Sequence, residues 1–187
     1  NNQVAHFLDG QEVEALVTAL RVSENPDLEN IVGFCLLTGA RRGEVLNAEW
    51  EDIDAQRRLW RIPRAKSGSA RHVPLSDGAL RLLEQLPSRG QSPYLFPNPQ
   101  TGRPYRCVYQ AWNNARKRAG LPNLRIHDLR HSFASFLINS SRSLYEVQKL
   151  LGYNSIRLTE RYSHLRNDKL AEAAGAADVI ALEPSSD

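Results

Sequence analysis

Residues 125–164 contain R125-I-H-D-L-R-H-S-F-A134, then L150-L-G-Y-N-S155, then T159-E-R-Y-S-H164. His127 and Arg130 are three positions apart in a context that reads as helical, a spacing that puts both side chains on one helix face and within reach of one anion. Tyr162 follows on a separate short element and offers a hydroxyl nucleophile. Far upstream, T38-G-A-R-R-G-E44 supplies a second arginine, Arg41. Two arginines, a histidine, a lysine candidate and a tyrosine are the groups needed for metal-free attack on a phosphodiester. Arginines hold the non-bridging oxygens, a tyrosine attacks, and the remaining groups move protons. Arginine suits the clamp because its planar fork gives two parallel hydrogen bonds and keeps its charge.

These blocks resemble the catalytic domain of the tyrosine recombinase (phage integrase) family, from about Phe7 to about Leu170. L37-T-G-A-R-R-G-E44 resembles the first arginine box and selects Arg41 over its neighbour Arg42. H127-D-L-R-H131 resembles the second box, and L150-L-G-Y-N-S-I156 with R161-Y-S-H164 the third box and nucleophile segment. Each box alone is moderately specific; their joint order is highly so. The resemblance implies Arg41, His127 and Arg130 at the scissile phosphate and Tyr162 as nucleophile. It places Lys66, in the turn R64-A-K-S-G-S-A-R71, as the acid that protonates the leaving 5′ oxygen. His131 and Glu44 become supporting residues, Glu44 by pairing with a basic side chain. Tyr153 departs from the family pattern, which has His or sometimes Trp there. A phenol donates one hydrogen bond but carries no positive charge. The resemblance also implies a core-binding domain before this chain, which has no Met at all. It implies double-stranded DNA and further recombinase subunits as partners, a tetramer in the synaptic complex, and a terminal segment that docks onto a neighbouring subunit.

Charge points the same way. Residues 1–56 hold 3 basic and 11 acidic side chains, residues 57–130 hold 15 and 3, and residues 131–187 hold 6 and 7. A block as basic as the middle one is the electrostatic footprint of a polyanion partner. Within it, Arg64, Arg71, Lys117 and Arg125 are the candidate contacts to the DNA backbone. No H-E-x-x-H, P-loop or paired-carboxylate metal motif occurs, so neither a metal nor another cofactor is expected. Cys35 and Cys107 are too few and too far apart for a metal cluster. Cys35 lies in the apolar run I31-V-G-F-C-L-L37 and reads as a buried free thiol. That usage fits a reduced, cytoplasmic protein. No apolar run is long enough to span a bilayer, so no membrane partner is expected.

The periodicities predict a mainly α domain with one small antiparallel β-sheet, over residues 1–180, and a disordered tail at 181–187. Asp9 and Glu12 form a capping-box pattern ahead of a helix with Val13, Leu16, Val17 and Leu20 on one face. A second helix follows Pro26 and is broken by Gly39, and a short one carries Glu44, Val45 and Leu46. L59-W-R-I62 and R71-H-V-P-L75 read as strands joined by the turn at 66–69. Ser76 caps a helix through Leu86. Residues 87–106 read as loop anchored by Y94-L-F96. Helices are expected at 107–119, 128–139, 143–151, 155–161 and 167–180, with Ser143 and Glu146 as another capping box. Two other functions remain open on sequence alone. One is a type IB topoisomerase, which rejoins the same strand; the L-G-x-N-S box argues against it. The other is a DNA-binding module without catalysis, which Tyr153 motivates.

Overall fold

The structure, a computed structural model, describes residues 6–63 and 70–139. Among the described residues six α-helices and three strands follow one another: α1 (Gly10–Arg21), α2 (Leu28–Thr38), α3 (Arg42–Leu46), β1 (Ile53–Asp54), β2 (Leu59–Ile62), β3 (Arg71–Pro74), α4 (Asp77–Gln85), α5 (Tyr109–Arg118) and α6 (Asp128–Asn139), with a short 3-10 turn of helix at Trp50–Asp52. The domain is mainly helical with one small antiparallel sheet, as the patterning predicts. Four expected features lie outside the described residues: the turn at 66–69, the Ser143–Glu146 capping box, the helices beyond 140 and the tail.

α1 starts where its sequence says it should. Asp9 Oδ1 accepts from the Glu12 N–H at 2.8 Å, and Glu12 Oε2 accepts from the Asp9 N–H at 3.0 Å. This reciprocal pair satisfies two of the amide donors that every helix start leaves open. The four apolar positions predicted for one face, Val13, Leu16, Val17 and Leu20, are all buried. α2 differs in kind. Leu28, Ile31, Val32, Phe34, Cys35, Leu36 and Leu37 are all buried, so the helix is apolar on every side. Such a helix belongs at the centre of a core, and α2 packs against α1, α3, α4 and α6. Phe34 carries this core into the rest of the chain. Its ring lies 5.1 Å from Trp60 of β2 and 6.0 Å from Phe96, both tilted.

The sheet order is β1-β2-β3, antiparallel throughout. The register pairs Trp60 with Val73 and Ile62 with Arg71, while β1 sets Ile53 opposite Trp60. Trp60, Ile62 and Val73 are buried, whereas Arg61, His72 and Pro74 between them are exposed. One face therefore rests on the core. β1 was not expected, because a two-residue strand has no periodicity to read. The segment from 87 to 106 contains no helix, and it is held by backbone pairing: Trp50 N–H donates to Pro93 O at 2.8 Å and Leu95 N–H to Ala48 O at 2.9 Å. Leu95 and Phe96 are buried beneath it. Ser76 Oγ caps α4 by accepting from Ala79 N–H at 3.2 Å.

Candidate active site

The site is assembled around the turn between α2 and α3. α2 ends at Gly39, whose φ of 63° lies in the left-handed region, where a Cβ would meet the following carbonyl and glycine pays nothing. Thr38 Oγ1 donates to Phe34 O at 2.5 Å and accepts from Ala40 N–H at 3.3 Å, which fixes the turn from inside. The chain then leaves Arg41 at the cap position of α3 in extended conformation. A guanidinium has no acceptor, so Arg41 does not cap α3 with its own side chain. Glu44 does the work in reverse: its Oε2 accepts from the Arg41 N–H at 2.7 Å and its Oε1 from Arg41 Nη1 at 3.0 Å.

Arg130 reaches the same turn from α6. Its side chain is 1% exposed, and Nη1 donates to Gly39 O at 2.7 Å. The carbonyl that Arg130 holds thus stands two residues from Arg41, so segments about ninety positions apart in sequence meet at one turn. α6 is set at its N-terminus by buried Asp128. That carboxylate accepts from the Arg125 N–H at 2.8 Å and from Arg125 Nη2 at 2.6 Å, a favourable place for negative charge. Ser132 Oγ donates to Asp128 O at 3.0 Å and accepts from Leu8 N–H at 3.1 Å, fastening α6 to the start of the domain.

His127 sits one residue before α6, in the turn, and not on a helix face with Arg130. The helix begins only at Asp128. The two residues are still linked, since the His127 carbonyl accepts from the Arg130 N–H at 3.2 Å. The imidazole is open to solvent on one side and meets the buried His131 ring edge-on, 5.0 Å away at 90°. His131 is flanked in turn by Phe7 at 6.4 Å, so the ring expected to support the site lies between Phe7 and His127. Partial desolvation, then Arg130, then Arg125 and Arg41 hold His127 below its ordinary pKa of 6.5, against the opposing pull of Asp128. Arg41, Arg130 and His127 therefore share one electrostatic neighbourhood.

Glu44 also binds Arg71, whose Nη2 lies 2.6 Å from Oε2, with both side chains 10% exposed. Burial alone would push the Glu44 carboxyl up. The Arg41 N–H bond, the charge and hydrogen bond of Arg71, and the charge of Arg41 outweigh it and hold the group below the usual range. Sequence reasoning gave Glu44 a basic partner without naming one; it has two. Arg71 was expected at the DNA backbone, and in the fold its fork is turned inward to Glu44. Arg125 is likewise engaged by Asp128, although its side chain stays 41% exposed. Lys117 is exposed in the last turn of α5. Lys66, Arg64, Tyr153 and Tyr162 lie outside the described residues. Among the described residues no group of three or more His, Cys, Asp or Glu side chains is placed to hold a metal ion. Cys35 is buried, its thiol pushed up to about 12 by desolvation, and Cys107 is exposed; both are free.

Two guanidiniums at one turn, with an imidazole in the field of both, are donors of the kind a tetrahedral anion can take. Arg41 is partly exposed, with 28% of its side chain open, and His127 presents its ring from the opposite segment. The buried Arg130 charge acts in surroundings of low polarity, where its bonds to an oxyanion are stronger than in water.

Residues 6–169 match the phage integrase family. The chain is 33% identical to the integrase of Salmonella phage P22, over 96% of its own length and 49% of that protein. It is 32% identical to tyrosine recombinase XerC of Staphylococcus carnosus, over 88% of its length and 59% of that protein. The chain thus spans about half the length of these relatives. Among solved structures it is similar to the catalytic domain of bacteriophage HP1 integrase, with a TM-score of 0.69 and 30% identity, covering 92% of this chain and 95% of that one. It is also similar to XerH site-specific recombinase bound to palindromic difH substrate in a post-cleavage complex, with a TM-score of 0.72 and 26% identity over 93% of this chain and 54% of that one. With this fold and this family match, the chain belongs to the phage integrase family and has the architecture of a tyrosine recombinase catalytic domain.

Proposed function

We propose that residues 1–180 form the catalytic domain of a site-specific DNA recombinase that cuts and rejoins strands through a covalent tyrosine link. The observation that carries this reading is the Arg130 bond to Gly39, two residues from Arg41, with His127 linked to Arg130 through its carbonyl and lying in the field of both arginines. The Tyr162 oxygen attacks the scissile phosphorus as its proton passes to His127. The bond from phosphorus to the 5′ oxygen breaks, leaving a 3′-phosphotyrosyl link and a 5′ hydroxyl. Lys66 donates the proton that the leaving oxygen takes up. Arg41 and Arg130 hold the non-bridging oxygens, whose charge rises in the transition state, and so bind that state more tightly than the substrate. His127 exchanges a proton near neutral pH. Tyr153 donates one hydrogen bond to the phosphate. A 5′ hydroxyl from a second duplex then reverses the step; the phosphodiester energy is retained throughout, so no nucleotide is consumed.

DNA and further subunits of the same kind are the partners in this reading, with Arg64, Lys117 and Arg125 on the backbone; it places the protein in the cytoplasm, with the DNA. The relation to XerH, a site-specific recombinase seen with its difH substrate in a post-cleavage complex, supports it. The test is a nicked duplex incubated with the protein in EDTA. We expect an adduct that survives denaturation and is lost in Tyr162→Phe. An adduct of equal yield from Tyr162→Phe means another nucleophile. DNA binding with no adduct from the unaltered protein favours a binding module, the outcome that Tyr153 motivates. Strand exchange between two duplexes separates a recombinase from a topoisomerase.

A further inference from the structure

Arg71 was expected to touch DNA; in the fold its side chain is engaged with Glu44. The sheet register sets it opposite Ile62, on the same inward face as Val73. Its side chain is 10% exposed and directed to Glu44, at 2.6 Å. The Glu44 oxygen that accepts from Arg71 also accepts from the Arg41 N–H at 2.7 Å, and the second oxygen accepts from Arg41 Nη1 at 3.0 Å. One carboxylate therefore ties a strand of the sheet to the backbone and to the guanidinium of Arg41. Two cations share it, and each limits where it can move to serve the other.

We propose that Arg71 is a positioning residue for cleavage: by anchoring Glu44 from β3, it sets the direction in which Arg41 presents its guanidinium to the scissile phosphate. The inference rests on the function proposed above. Without Arg71, Glu44 keeps only the contacts of its own helix turn and can swing with Arg41. The Arg41 fork then loses its fixed aim, and a clamp that must match a transition state to within a fraction of an ångström loses rate. Arg71 itself needs no contact with DNA for this. Electrostatics agree with the geometry: burial, together with the charges of Arg130 and Arg41, disfavours the Arg71 cation, and the charge and hydrogen bond of Glu44 favour it.

The experiment is a mutant cycle on single-turnover cleavage of the nicked duplex at saturating DNA. Arg71→Gln should lower the cleavage rate by about tenfold or more and leave DNA affinity within about twofold, since the interaction it supports is made in the transition state. Arg71→Lys keeps a charge against Glu44 and should recover part of the loss; it also carries the test if the glutamine variant does not fold. In an Arg41→Lys background, either Arg71 change should cost less than about threefold, because coupled residues are not additive. Full multiplicative loss in that background overturns the inference, as does a loss that appears in affinity and salt dependence instead of rate. A purely structural role would reduce the fraction of protein that reacts and leave its rate constant unchanged, and that also overturns it. Hydrogen exchange at the Arg41 amide gives a readout without catalysis. It should accelerate in Arg71→Lys, and an unchanged rate sinks the inference alone, whereas absence of adduct from the unaltered protein sinks the functional reading.

Discussion

His127 stands between arginines that repel its proton and the Asp128 carboxylate that attracts it, and the repulsion together with partial burial wins. In the free protein we expect it to titrate below 6.5, the ordinary value, as followed by the imidazole proton shifts in an NMR titration. Adding a phosphodiester or DNA places an anion among the same groups, which favours the charged ring, so the titration should move upward. A ring that titrates above 6.5 without DNA contradicts this account. The sign for stability follows from the same shift. The folded state holds fewer protons on this group than the unfolded chain, so its contribution is present above 6.5 and is lost as pH falls through the folded value. His127→Gln should therefore lose less stability than the unaltered protein between neutral pH and pH values below the folded titration. H127-D-L-R-H131 marked His127 as a candidate and the helix was expected at 128–139; what the spacing misjudged is the helix face, because His127 lies in the turn before α6 and not on the face that carries Arg130.

Among the elements, the α2–α3 turn is where the fold and the proposed chemistry depend on the same atoms. Gly39 has a φ of 63°, and its carbonyl accepts the Arg130 bond. Gly39→Ala should cost about 1–2 kcal/mol of stability from the left-handed backbone alone, and it should also shift the carbonyl against which Arg130 is set. Asp9→Ala removes the α1 cap, whose bonds run to Glu12 and not to this turn, at a similar cost of about 1 kcal/mol. Matched in denaturation midpoint, the Gly39 variant should cleave nicked DNA markedly more slowly while the Asp9 variant cleaves normally; equal rates would mean that the turn serves folding only. The elements best read from sequence were those with local grammar: the Asp9–Glu12 box, the Ser76 cap and the helix of residues 128–139. β1 escaped because its pairing to Trp60 and Leu59 is specified by distant partners. Arg71 escaped for a related reason. The alternation R71-H-V-P74 does place Arg71 with Val73, yet an arginine on an inward face reads as an error until the carboxylate of Glu44, from another element, is seen beneath it.

On the scale of the whole molecule, the segregation of charge along the chain overstates the field that the fold presents. Several side chains of the basic block at 57–130 are matched by carboxylates of the acidic block before it: Arg61 with Asp52 at 3.3 Å, Arg57 with Asp54 at 3.8 Å, and Arg71 with Glu44. Arg57 and Arg61 remain well exposed, at 81% and 57% of their side chains, and such surface pairs are weak and open readily to a stronger anion. Lys117 is exposed at the end of α5. Binding to DNA should therefore be driven by displaced counterions. With roughly six phosphate contacts, affinity should fall on the order of a thousandfold between about 50 and 200 mM salt. Arg71, turned inward, should contribute little to that slope, and a side chain on the DNA backbone should contribute about one unit. Lys117→Gln is the sharper test of where the DNA lies. It should weaken binding to all sequences alike and flatten the salt slope by about one, with the cleavage rate at saturating DNA unchanged. An unaltered slope would move the backbone path off this end of α5, and a salt-independent affinity would remove the electrostatic account altogether.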